Sequence, residues 1–215
     1  VFLLKNKTMA ILSLAQLDIN KKYSYADYLT WQFEERVELL RGYIAKMSPA
    51  PNLRHQTIIV QLTARLFNFL ENKKCQVFVA PFDVRLPISS DLEVSKKYKK
   101  QAATLSDGKI MTVVQPDICV ICDKNKLDEK GAIGAPTLII EVLSPGNTKR
   151  EMKDKFEIYK EAGVEEYWLV EPNDEFILVY TLQGDAYVGS PPYMSGDVIK
   201  SNAVAGFELV VSNVF

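Results

Sequence analysis

The chain has 215 residues, 47% of them hydrophobic and 25% charged, with 26 lysines and arginines against 27 aspartates and glutamates. That length supports one core burying roughly 70% of the extended chain's surface, and the composition is that of an ordinary globular protein rather than a disordered or fibrous one. A net charge of -1 excludes a global basic field for nucleic acid, so any such binding has to use a local patch; no apolar run is long enough to span a bilayer as a helix.

Residues 1–22 read as an N-terminal extension to a single domain over 23–215, in which Met9 is a candidate start, with Val1–Thr8 then an upstream extension. The segment "VFLLKNKTMAILSLAQL" lacks both a long apolar stretch and a small-residue cleavage site, so it does not read as a signal peptide. "SYADYLTWQFEERVELL" (24–40) predicts a helix, with Ser24 as its cap and Asp27 at the third helical position. "GYIAKMSP" (42–49) predicts a strand ended by the Pro49/Pro51 loop. "LRHQTIIVQLTARLFNFLENKK" (53–74) is the clearest helix, with Ile59, Leu62, Leu66 and Phe69 as one apolar stripe. "CQVFVAPFDVRLP" (75–87) reads as a strand, and the polar, aperiodic residues 88–109 as an exposed loop.

"MTVVQPDICVICD" (111–123) predicts a strand, 124–136 a loop, and "TLIIEVL" (137–143) a buried strand. "REMKDKFEIYKEA" (150–162) predicts a helix stopped by Gly163. "EEYWLVEP" (165–172) is a strand, 175–189 a hairpin around Gln183-Gly184-Asp185, and short strands follow near Phe207–Val211. Strand–helix–strand over 137–171 fits a right-handed crossover between parallel strands, while the remainder looks antiparallel. The fold class is therefore α/β (α+β): a mixed central β-sheet flanked by helices.

Cys75, Cys119 and Cys122 do not make a disulfide framework. Cys119 and Cys122 stand three apart on a predicted strand, on opposite faces, so they do not chelate one metal. The three read as reduced core thiols of a cytoplasmic protein.

The chemistry lies in the acids. Glu141 interrupts the apolar strand 137–143, and an ionised carboxylate there is costly unless paired. Asp117 is a second acid in an apolar strand, after Pro116, which in a sheet marks an edge or a bulge. If the two strands pair, Asp117 and Glu141 meet on one face. Two such carboxylates repel unless they share a proton or a cation, and a hard divalent ion such as Mg²⁺ suits that oxygen set. In the next helix Lys155 falls about 60° from Met152, inside the apolar face, where an amine needs a partner or an exit to solvent. Asp117 and Glu141 are its expected partners. Each residue alone also fits a structural ion pair or a solvated acid; three on adjacent elements point to a site.

The strings "QPDICVIC … GAPTLIIEVLSPGNTKREMKDKFEIYKEAGVEEYWLVEP", "VELLRGYIAKMSPAPNLRHQTI" and "APFDVRL" resemble the Uma2 family, of the PD-(D/E)XK restriction-endonuclease-like group. The resemblance runs from about Tyr23 to the C-terminus. It implies Asp117 as the motif aspartate and Glu141 as the motif glutamate, both binding Mg²⁺ or Mn²⁺. The usual motif lysine position holds Leu143 here, and Lys155 matches a lysine that the family carries in the following helix. Glu151 stands where an aspartate is expected. Glu38 and His55 match upstream positions; Glu38 reads as a solvated helix residue or a third acid at the metal. His55, the only histidine, reads as a core-edge residue bonded to backbone or as a rim residue touching phosphate or a metal-bound water. Asp83 alternates with Phe82 and Val84 and is expected to face the same cleft.

The resemblance implies metal-dependent phosphodiester hydrolysis, with nucleic acid, DNA by analogy, as partner. Lys96, Lys97, Tyr98, Lys99 and Lys100 would grip phosphate and stack a base, or form a plain solvated loop. A homodimer fits the need for two sites to cut both strands of a duplex. Two other readings stand beside this one: a catalytically silent nuclease fold used for binding or assembly, which Leu143 and the low net charge favour, and a metal hydrolase of another phosphoester.

Overall fold

The structure is a computed structural model, and it describes residues 11–47, 52–88, 105–144 and 148–215. After a 3-10 turn at Leu14–Gln16, Ser24 caps a short helix α1 (Tyr25–Tyr28) and exchanges hydrogen bonds with Asp27 in a capping box. The helix predicted for 24–40 ends there. Val37–Leu40 is instead strand β1, paired with β2 (Tyr43–Lys46) across a two-residue turn. Both turn residues have positive φ, Arg41 at 54° and Gly42 at 90°, the geometry that suits the twist of a hairpin. Glu38 is therefore a strand residue, not a solvated helical one.

Helix α2 (Leu53–Leu70) follows, capped by the Asn52 side chain. It buries His55, Ile58, Leu62, Leu66 and Leu70, so the innermost stripe runs through Ile58, and Ile59 and Phe69 flank it. The run 75–87 splits into β3 (Gln76–Val79) and β4 (Val84–Arg85), which belong to different sheets. Pro81, which follows a cis peptide bond and has no N–H for a ladder, lies between them. The run 111–123 splits the same way at Pro116, into β5 (Val113–Val114) and β6 (Ile118–Ile121). Residues 124–136 are not all loop: they hold the hairpin β7 (Leu127–Asp128) and β8 (Gly131–Ile133).

Strand β9 (Leu138–Val142) leads to α3 (Lys149–Ala162), which stops at Gly163 with φ 87°. Strand β10 (Glu166–Glu171) returns parallel to β9. β11 (Phe176–Gln183) and β12 (Ala186–Gly189) form the predicted hairpin, and β13 (Val198–Lys200) pairs with β14 (Glu208–Val210). The order in the main sheet is β12-β11-β10-β9-β6-β3, and in the second β2-β1-β5-β4-β8-β7. Both sheets mix parallel and antiparallel pairs.

Alternation along β9 sorts the core. Leu138, Ile140 and Val142 face α2 with Leu62, Leu66 and Trp168. Ile139 faces the opposite way, into a cluster that joins Tyr159 and Ile158 of α3 to Val84 and Val114 of the second sheet. Helix α3 thus lies where the two sheets meet. On the outer face of the second sheet, Leu14 and Leu17 pack with Tyr25, Leu39 and Ile110.

The cysteine expectation is corrected. Pairing of Gln76 with Ile121 brings the ends of β3 and β6 together, and Cys75 and Cys122 form a disulfide across them. Cys119 alone is a free, buried thiol, as expected, pushed up to about 12 by burial and by the Glu141 charge. The argument from reduced thiols to a cytoplasmic protein therefore lapses. Among the described residues no helix is long and apolar enough to cross a membrane.

Candidate active site

Ile118 pairs with Ile140 in antiparallel register, which brings Asp117 beside Glu141, itself still paired in the sheet with Leu169 of β10. Glu141 lies on the face that carries α3. One helical turn on from Met152, α3 points Lys155 inward, and the ammonium sits 3.0 Å from Glu141 Oε1 and 3.1 Å from Glu38 Oε2. The expected partner Glu141 is there, but Asp117 is not the second one. Glu38 of the other sheet takes that place, because β1 is a strand that packs against α3. Glu38 is almost fully buried, and its other oxygen accepts the Gln115 backbone N–H at 2.7 Å.

Asp117 is held by different groups. Its Oδ2 accepts the Val142 N–H at 2.8 Å and lies 3.4 Å from His55 Nε2. The same histidine nitrogen lies 3.0 Å from the Val142 carbonyl oxygen. Two acceptors around Nε2 fix it as the protonated nitrogen. Nδ1 is buried without a hydrogen-bond partner among the described residues. His55 is thus bonded to backbone at the edge of the core, as the first reading expected, and it also lines the cleft. Asp83 does not line the cleft. It accepts from Gln115 Nε2 at 2.9 Å and from the Tyr25 and Tyr28 hydroxyls, behind the site. The basic run 96–100 lies outside the described residues.

Sequence reasoning missed three groups. Tyr159 donates its hydroxyl to Glu141 Oε1 at 2.5 Å; its spacing of one helical turn from Lys155 was the available signal. Arg36 donates to Gln115 Oε1 at 2.8 Å, and both line the cleft. Nothing in the sequence marked either of these two.

The electrostatics follow from burial. Burial pushes the Glu141 carboxyl up; Lys155 opposes this, Asp117 and Glu38 reinforce it, and the balance lies at about 7. Burial works to lower Lys155, but Glu141 and Glu38 outweigh it and keep the ammonium charged. Burial also works to lower His55, and the Asp117 carboxylate raises it by more. A carboxyl pushed up first by burial and then by neighbouring acids marks a place where an added cation would be stabilising.

Among the described residues no three histidines, cysteines or acids cluster as a metal cage. The donor set does suit a hydrated hard cation, which takes one or two carboxylates and fills the remaining positions with water and phosphate. Among the described residues, hydrogen bonds fall on Glu141 Oε1 and Asp117 Oδ2, leaving Oε2 and Oδ1 open. The cleft, lined also by Leu143, Ser144 and Met152, has a volume of about 90 Å³. At the roughly 10–15 Å³ of cavity volume that a single water needs, that is room for an ion with its waters.

Residues 25–212 match the model of the Uma2 family, whose description reads "Putative restriction endonuclease". The chain belongs to the Uma2 family. This Uma2 chain is 26% identical over 197 residues to uncharacterized protein slr1290 of Synechocystis sp. (strain ATCC 27184 / PCC 6803 / Kazusa), covering 90% of this chain and 92% of that protein. It is also similar to a crystal structure from Anabaena variabilis ATCC 29413, described as "a putative nuclease belonging to DUF820", with a TM-score of 0.66, 17% identity, and 90% and 97% of the two chains covered. That likeness shows a shared fold.

Proposed function

We propose that this chain hydrolyses phosphodiester bonds, DNA being the nucleic acid that the family description suggests, with Mg²⁺ or Mn²⁺ held by Asp117 and Glu141. The observation that carries the reading is the convergence at one cleft of two acids from neighbouring strands with an inward-pointing amine from α3. When bound, such a cation lowers the pKa of water and neutralises charge on a phosphate oxygen. His55 and the Val142 N–H hold Oδ2 of Asp117, leaving Oδ1 without a hydrogen bond among the described residues. Tyr159 and Lys155 hold Oε1 of Glu141 in the same manner. An ammonium has three N–H donors; two of those on Lys155 go to Glu38 and Glu141, leaving the third for a phosphate oxygen or for the attacking water. That donor would stabilise negative charge as it grows in the transition state. Leu143 packs in the apolar cluster, so Lys155 takes the place of a strand lysine.

The test is nicking of supercoiled plasmid with Mg²⁺ or Mn²⁺, paired with calorimetric titration of the metal. The wild type should nick, and Asp117→Ala and Glu141→Ala should each lose roughly 10²–10³-fold together with the heat of metal binding. Equal nicking by all three would point to a contaminant. Absence of metal binding by the wild type would leave the silent, binding-only reading in its place.

A further inference from the structure

A nucleic-acid strand extends well beyond a cleft of about 90 Å³, so such a substrate needs an adjoining surface. A groove of about 810 Å³ lies between the β1–β2 hairpin and the first turns of α3, and Glu151 lines both it and the cleft. We propose that this groove seats a single nucleic-acid strand, its phosphates against Lys22, Lys46 and Arg150 and one base on the ring of Tyr43. The proposal rests on the phosphodiester reading and specifies the form of the substrate.

Charge is the first argument. Lys22, Arg41, Lys46 and Arg150 line the groove against the two acids Glu151 and Asp154, a local positive excess in a chain of net charge -1. Arg41 is bound to Glu161 at 2.6 Å, and Arg150 stands only loosely by Asp154 at 3.8 Å. Lys22, Lys46 and Arg150 are exposed and carry no other ion pair among the described residues, so they remain for phosphate. This is the local patch that a weakly acidic chain requires for nucleic acid.

The second argument is the ring. Tyr43 is 46% exposed, at the start of β2, directly after the two-residue turn. The Lys22 ammonium lies 5.4 Å from its centroid. A cationic groove with an aromatic platform is the arrangement that binds single strands by backbone attraction and base stacking. A duplex keeps its bases within its own stack and offers Tyr43 no base face, so the ring selects for unpaired nucleotides.

Fluorescence anisotropy in EDTA tests this without any need for turnover, using labelled single-stranded DNA and RNA roughly 12 nucleotides long and the matching DNA duplex. The wild type should bind a single strand more tightly than the duplex. Tyr43→Ala should weaken single-strand binding about tenfold, and Lys46→Glu combined with Arg150→Glu at least as much. The charge variants should also lower the slope of log affinity against log salt by about 0.7 per cation removed. These side chains are exposed, and unchanged thermal unfolding checks that the variants remain folded. Variants that bind as the wild type does, or a duplex that binds more tightly than the strand, overturn the proposal. The DNA and RNA arms identify which strand is preferred, and in either case the variant losses are required. Strand binding is read in EDTA and nicking with Mg²⁺ or Mn²⁺, so a failure of hydrolysis and a failure of the groove register in different assays.

Discussion

The Tyr159 hydroxyl, 2.5 Å from Glu141 Oε1, works against burial by stabilising the ionised carboxylate. Tyr159→Phe should therefore raise Glu141 further and weaken Mg²⁺ binding near neutral pH while leaving it nearly intact at pH values well above 8, as calorimetry across pH would show. Glu141 also gives the metal-free protein a signature. Its folded value of about 7 lies above the unfolded value of 4.5, so across that window the native state keeps a proton that the unfolded chain has released. Stability in EDTA should fall as pH rises from 4.5 to 7, and Glu141→Gln should remove that share of the slope in urea titrations. His55, also raised from 6.5, adds a loss of the same sign: its contribution is full below 6.5 and disappears as pH passes the folded value. A Gln variant with an unchanged slope would contradict this account. At this scale the sequence was partly legible. A carboxylate within an apolar strand and an amine on an apolar helical face both announce a need for partners. Which acid meets which base depends on long-range packing, and there the expectation of Asp117 for Lys155 gave way to Glu38.

Among the elements, the long amphipathic helices and the buried strands β9 and β10 were readable, because their periods persist over several turns or pleats. The short strands were not. A proline in a strand-like run, at Pro81 and Pro116, marked a handover between two sheets, and local pattern does not reveal which sheet receives the chain. The Arg41-Gly42 turn between two apolar runs was a signal for a hairpin that the helical spacing of 24–40 obscured. The β7–β8 hairpin depends on Gly131, whose φ is 119° and where an added Cβ would come within 2.3 Å of the Asp83 carbonyl oxygen. That carbonyl accepts the Ala132 N–H, so Gly131→Ala should separate β8 from β4. A loss of about 1–3 kcal/mol is expected from the backbone conformation alone, with the clash added to it, measured by chemical unfolding.

For the whole molecule, the Cys75–Cys122 bridge closes a loop with a sequence separation of 47, tying the start of β3 to the end of β6. In the chain-entropy model such a loop is worth about 4 kcal/mol. Cys75→Ser with Cys122→Ser should lower stability by an amount approaching that, and a reductant should do the same to the wild type but not to the double variant.

Glu38 belongs to one sheet and Glu141 to the other, and the same ammonium holds both. Lys155 is thus a latch as well as a chemical group. Lys155→Met would leave two buried acids facing one another without a counter-charge, at a cost of about 3–5 kcal/mol. An inactive variant at this position would therefore report a loosened joint between the layers as readily as a lost donor, and adding Glu38→Gln to Lys155→Met should restore part of the stability without restoring turnover.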